Sequence, residues 1–60
     1  MSEIKAGMRF LYHDGLMETV EPNPKIPGDW FCKAVNADTG LWSFNPADII
    51  RRAMDYSLGR

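Results

Sequence analysis

The chain has 60 residues and a mass of 6.8 kDa, which allows one domain with a thin core. Seven Lys and Arg against eight Asp and Glu give a net charge of −1 and a pI near 5.6, which excludes a strongly basic nucleic-acid coat but not a local basic face. The 45% hydrophobic and 25% charged shares are globular, no apolar run approaches the roughly 18 residues of a membrane span, and no basic-then-apolar leader opens the chain, so a soluble cytoplasmic protein is expected.

Turn residues fall at His13-Asp14-Gly15, Pro22 to Gly28, Asn36 to Gly40 and Asn45-Pro46. That spacing, with no internal repeat, predicts a small β-protein. In the first segment Met8, Phe10 and Tyr12 share one face under period-2 alternation, and Arg9, Leu11 and His13 take the other. Asp14-Gly15 predicts a hairpin in which the glycine supplies the positive φ. Leu16 to Glu21 follows as a second strand, β-prone at Thr19 and Val20. Three prolines between 22 and 28 remove ladder donors and predict a loop or an exposed edge.

Trp30 to Val35 gives the strongest strand, with Trp30, Cys32 and Ala34 on one face and Phe31, Lys33 and Val35 on the other. Asn36 to Gly40 reads as a polar hairpin loop with Gly40 suited to a left-handed position. The fourth strand sends Trp42 and Phe44 one way and Leu41 and Ser43 the other. Asn45 then suits an N-cap, Pro46 the first helical position and Asp48 the first turn. Two continuations compete. In the first, Pro46 to Ile49 is one 3₁₀ turn and Ile50 to Met54 closes a barrel as a fifth strand. In the second, a helix runs from 46 to 58 and stops at Gly59, because Ile49, Ile50, Ala53 and Met54 form a helical stripe.

The order of hairpin, Pro-rich loop, hairpin, 3₁₀ turn and last strand resembles the SH3-like small β-barrel over about residues 6 to 54. The likeness is carried by Gly7, Asp14-Gly15, the Trp30 strand and the run Trp42-Ser43-Phe44-Asn45-Pro46-Ala47-Asp48-Ile49. It implies an all-β, five-stranded barrel with a 3₁₀ turn at Pro46 to Ile49, in a single domain over 1–60 with flexible ends at about 1–5 and 56–60. The alternative is α+β, a β-meander with a C-terminal helix over 46–58. Five core residues are expected to meet inside: Phe10, Val20, Val35, Phe44 and Ile49.

The resemblance does not extend to a known site. Signalling SH3 domains carry an Ala-Leu-Tyr-Asp-Tyr run and a Pro-Ser-Asn-Tyr turn, where this chain has Phe10-Leu11-Tyr12-His13-Asp14 and Pro46-Ala47-Asp48-Ile49. Ile49 thus replaces one wall of the aromatic groove. Type II dihydrofolate reductases, similar in size, build their pore around Val-Gln-Ile-Tyr, where Trp42-Ser43-Phe44-Asn45 stands here. No catalytic residue carries over.

Direct search for chemistry points the same way. One cysteine excludes an internal disulfide, and with one histidine it argues against a dedicated zinc site. Cys32 alternates with Trp30 and Ala34 as a small buried hydrophobe does, rather than forming a thiolate pair with His13. Glu18 and Glu21, three apart in a strand, are expected on opposite faces. No phosphate loop is present, and no metal, cofactor or catalytic residue is assigned.

Binding is better supported, and the charge is uneven. The stretch from Asp14 to Asp29 is acidic, and residues 51 to 60 are basic. The expected function is a non-catalytic module binding a protein partner through Trp30, Tyr12, Asp14, Glu18 and Asp29. The alternative is a nucleic-acid-binding barrel using Arg51, Arg52, Lys33 and Arg9 with Trp42 as a stacking ring. In size and style the chain is similar to the accessory proteins of bacteriophages and mobile elements. Two partly apolar faces on the third strand further suggest a homodimer burying Trp30 or Phe31.

Overall fold

The computed structural model describes residues 4–13 and 15–59. Four strands, β1 (Arg9–Tyr12), β2 (Gly15–Pro22), β3 (Trp30–Ala34) and β4 (Leu41–Phe44), form one antiparallel sheet in chain order. A helix, α1 (Pro46–Gly59), follows β4 and packs on β1 at the other side of the sheet. The architecture is an open α+β meander. The closed five-stranded barrel is not formed, and the segment expected to turn once and become a fifth strand is helical throughout.

The reason lies at Asn45. Its side-chain Oδ1 accepts the Asp48 N–H at 3.0 Å, and its carbonyl accepts the Ile49 N–H at 3.1 Å. The second bond spans four residues, the α-helical ring rather than the 3₁₀ one. Pro46 occupies the first position, where its missing N–H costs nothing, and Asp48 stands at the positive end of the helix dipole. Ile49 is fully buried, and Ala53 packs on the core one turn later.

The sheet curls around that helix. Phe10 on β1 and Phe44 on β4 belong to opposite edges, yet their rings meet edge-to-face at 5.2 Å, and Tyr12 meets Phe44 at 5.1 Å. The buried core is Phe10, Met17, Cys32, Phe44 and Ile49. Three of these match the expected core. Val20 and Val35 are only half-buried, and Met17 and Cys32 take their places. Val35 follows the Phe31–Lys33 phase of its strand, which faces outward, while Cys32 faces inward.

Val20 leaves the core because β2 is bulged. Thr19 pairs with Cys32 and Glu21 with Phe31, so Val20 is an extra residue opposite one step of β3. This shift also overturns the expected split of the two glutamates. Glu18 pairs with Lys33 and Glu21 with Phe31, and those partners are two apart, so both glutamates lie on the outer face.

Thr19, beside the bulge, is a buried polar residue whose hydroxyl is fully used. It accepts the Met8 N–H at 2.9 Å and donates to the Lys5 carbonyl, while the Thr19 and Gly7 backbones exchange further bonds with Met8 and Thr19. The segment before β1 is thereby stapled to β2. The first hairpin also turns one residue earlier than expected. Tyr12 pairs with Gly15, and His13 rather than Gly15 holds the positive φ, at 56°. Histidine tolerates that region better than bulkier or β-branched residues. Gly40 does adopt the expected left-handed conformation, at φ 84°.

Phe44→Ala should cost about 3–5 kcal/mol, since it removes the ring that joins both edges of the sheet to Ile49. A melt within a few degrees of the parent would contradict the core described here. Thr19→Val keeps the shape but strips two hydrogen bonds, so urea titration should show a loss of about 1–3 kcal/mol.

Candidate functional site

The β3–β4 hairpin concentrates exposed apolar surface at an edge strand. β4 hydrogen-bonds only to β3 within the sheet, and its sequence, Leu41 to Phe44, carries none of the charges or prolines that usually guard an edge. Trp42 is 51% exposed and Leu41 is 49% exposed, on opposite sides of the strand. The Trp42 indole N–H donates to the Thr39 hydroxyl at 3.3 Å, which fixes the ring against its own loop. The same hairpin also forms an open depression of about 250 Å³, lined mainly by Lys33, Ala37, Asp38, Thr39 and Leu41.

A polar cluster anchors the far end of β4. Asn23 donates from Nδ2 to the Ser43 hydroxyl at 2.9 Å, and Ser43 donates to the Asp29 carboxylate at 3.2 Å. Asn23 also accepts the Lys25 N–H at 2.9 Å, an Asx turn, and bonds through its own N–H to the Asp29 carbonyl at 2.8 Å. The Pro-rich segment is therefore a tied loop, closed by bonds its prolines cannot supply.

The residues expected to bind a protein partner are not brought together. Trp30 is half-buried against the core, and Asp29 is engaged with Ser43. Tyr12 lies under the helix, between the Phe44 ring and the Arg52 guanidinium, whose carbon stands 4.9 Å from the ring centre. Glu18 faces the opposite side of the sheet, 3.9 Å from Arg9. Asp14 lies outside the described residues. The exposed tryptophan is Trp42.

The candidate nucleic-acid residues divide as well. Arg51 and Arg52 belong to the helix, the first 3.8 Å from Asp48 and the second stacked on Tyr12. Arg9 and Lys33 lie on the outer sheet face, flanking Glu18 in register. Trp42 stands on the concave side, in phase with Cys32. These five residues form no single basic track.

The outer face escaped notice as a surface because no single strand reveals it. Register places Leu11 beside Leu16, and Val35 bonds to the Leu16 carbonyl at 2.8 Å, giving an apolar row across three strands. The next row runs Arg9, Glu18, Lys33, Leu41, and the third holds Glu21, Phe31 and Ser43. The helix packs on the concave side, where Phe10 and Ile49 lie, and among the described residues no element covers this face.

Cys32 is fully buried, with its Sγ 3.7 Å from the Trp30 carbonyl. Burial pushes its thiol from 9.0 up to about 11, so it is protonated at neutral pH and a poor nucleophile. His13 packs instead on Tyr12, ring centres 4.3 Å apart. Among the described residues no group of three or more His, Cys, Asp or Glu side chains is arranged to hold a metal ion, and no helix is long and apolar enough to cross a membrane. Compared with known protein families, with curated proteins and with solved structures, the chain matches none.

The raised thiol pKa has a signed consequence. The folded state keeps its proton longer than the unfolded state, so this contribution is intact below about pH 9 and is lost as pH rises toward about 11. Thermal melts should show the parent losing stability over that window more steeply than Cys32→Ala. Equal slopes would remove the effect.

Proposed function

We propose that the chain is a non-catalytic interaction module that takes an extended segment of a partner protein along the free side of β4. The observation that carries this reading is Trp42, half-exposed and pinned by Thr39 on an edge strand with no guarding charge. An added strand would gain main-chain hydrogen bonds from the edge, with specificity from alternate side chains. Trp42 offers large area at little entropic cost, as interface anchors do. The depression formed by the same hairpin receives one apolar side chain, and the Asp29 carboxylate at Ser43 favours a basic residue at the other end of the edge.

Peptides selected from a random display library should be extended and hydrophobic, and should slow amide exchange at residues 41–44. Trp42→Ala is expected to weaken them about 30-fold, or ~2 kcal/mol, while Arg51→Ala with Arg52→Ala changes nothing. Binding of DNA or RNA at physiological salt, abolished by the two arginine changes, would overturn this reading.

A further inference from the structure

The outer sheet face has the pattern of a surface that matches itself. We infer that two copies of the chain stack outer face to outer face about a two-fold axis parallel to the strands, with β2 of each over β3 of the other. Isologous contacts require that any residue i meeting residue j is also met in return. Here register supplies such pairs. Glu18 and Lys33 are cross-strand neighbours in one row, so the two-fold axis sets Glu18 of each copy opposite Lys33 of the other. Leu16 and Val35 are neighbours in the next row and pair across the axis in the same way.

Charge favours this occupant over another. The face holds Arg9 and Lys33 against Glu18 and Glu21, so it is neutral as a whole and alternating in detail. Lys33 is exposed and has no ion-pair partner among the described residues, whereas Glu18 has only Arg9 at 3.9 Å. A second copy presents a carboxylate to each Lys33, giving two such pairs in the dimer.

The area suits a weak dimer. The chain exposes 4339 Å², against roughly 3,950 Å² expected for a folded monomer of 6.8 kDa. Four strands about 4.8 Å apart and some five residues deep give a plan of roughly 300 Å² per copy. Two such faces give roughly 600 Å², the size of a weak, concentration-dependent association rather than a permanent one. Leu11, at 47% exposure, with Leu16 and Val35 in its row, supplies apolar area beside the charged pairs.

Equilibrium sedimentation from micromolar to several hundred micromolar tests this directly. The parent should move from 6.8 kDa toward twice that mass with concentration. Lys33→Glu and Glu18→Lys should each raise the dissociation constant at least tenfold, because like charges then oppose twice. An equimolar mixture of the two variants should associate again, since each variant then meets its complement. Parent at 6.8 kDa throughout would overturn the proposal and return the face to an unrelated partner. Variants that associate like the parent, or a mixture no tighter than either alone, would overturn it too. Melting curves check that each variant folds, and the parent measurement decides alone if one does not. Trp42→Ala should leave the masses unchanged, so failure here is distinguishable from failure of the β4 reading.

Discussion

Phe44 is the constraint on which the rest depends. It is the last residue of the last strand, and its ring touches Phe10 and Tyr12 on the first. A four-stranded sheet can bring those rings together only by coiling strongly, and coiling leaves a gap between its two edges. Ile49 fills that gap because Asn45 starts a helix immediately after Phe44. The helix thus does the covering that a fifth strand does in a closed barrel. Among the described residues, it leaves β4 without a second strand neighbour and the convex face without a cover.

Much of this arrangement is legible in the residues. Alternation assigns the inward face of β1 correctly and separates the two faces of β3, although Cys32 lies in the core in place of the expected Val35. Asn45-Pro46 marks the helix start because capping chemistry is local. The choice between a turn and a full helix is not local. It depends on whether Ile49 and Ala53 find a surface to bury against, which is decided by the curl of the sheet. The bulge at Val20 is equally silent. Nothing in Thr19-Val20-Glu21 announces an extra residue, yet it moves Val20 out of the core and carries Glu21 to the face of Glu18.

The candidate site was less legible than the fold. Reading acids and aromatics along the chain groups neighbours in sequence, whereas a sheet groups residues across strands. Glu18 and Lys33 are far apart in the chain and adjacent in register. Trp30 and Trp42 both precede or follow loops, but only burial separates the structural ring from the exposed one. Surface ion pairs are weak contributors to stability, so the pairs Arg9–Glu18 and Arg51–Asp48 say little about what holds the fold and more about which charges remain for other molecules.

The helix resting on β1 also sets the order in which the chain can assemble. Every strand pairs with its neighbour in sequence, so three hairpin-like steps close short loops and lose little entropy before contacts form. Docking of residues 46–59 on residues 9–12 is different, since it closes a loop around the whole sheet. Contacts of that separation dominate folding barriers. Burial of Ile49 in the core with Phe10 ties the first strand to the end of the chain and makes the local pairings mutually dependent. Substitutions that weaken this docking slow folding, whereas those confined to one hairpin act chiefly on unfolding.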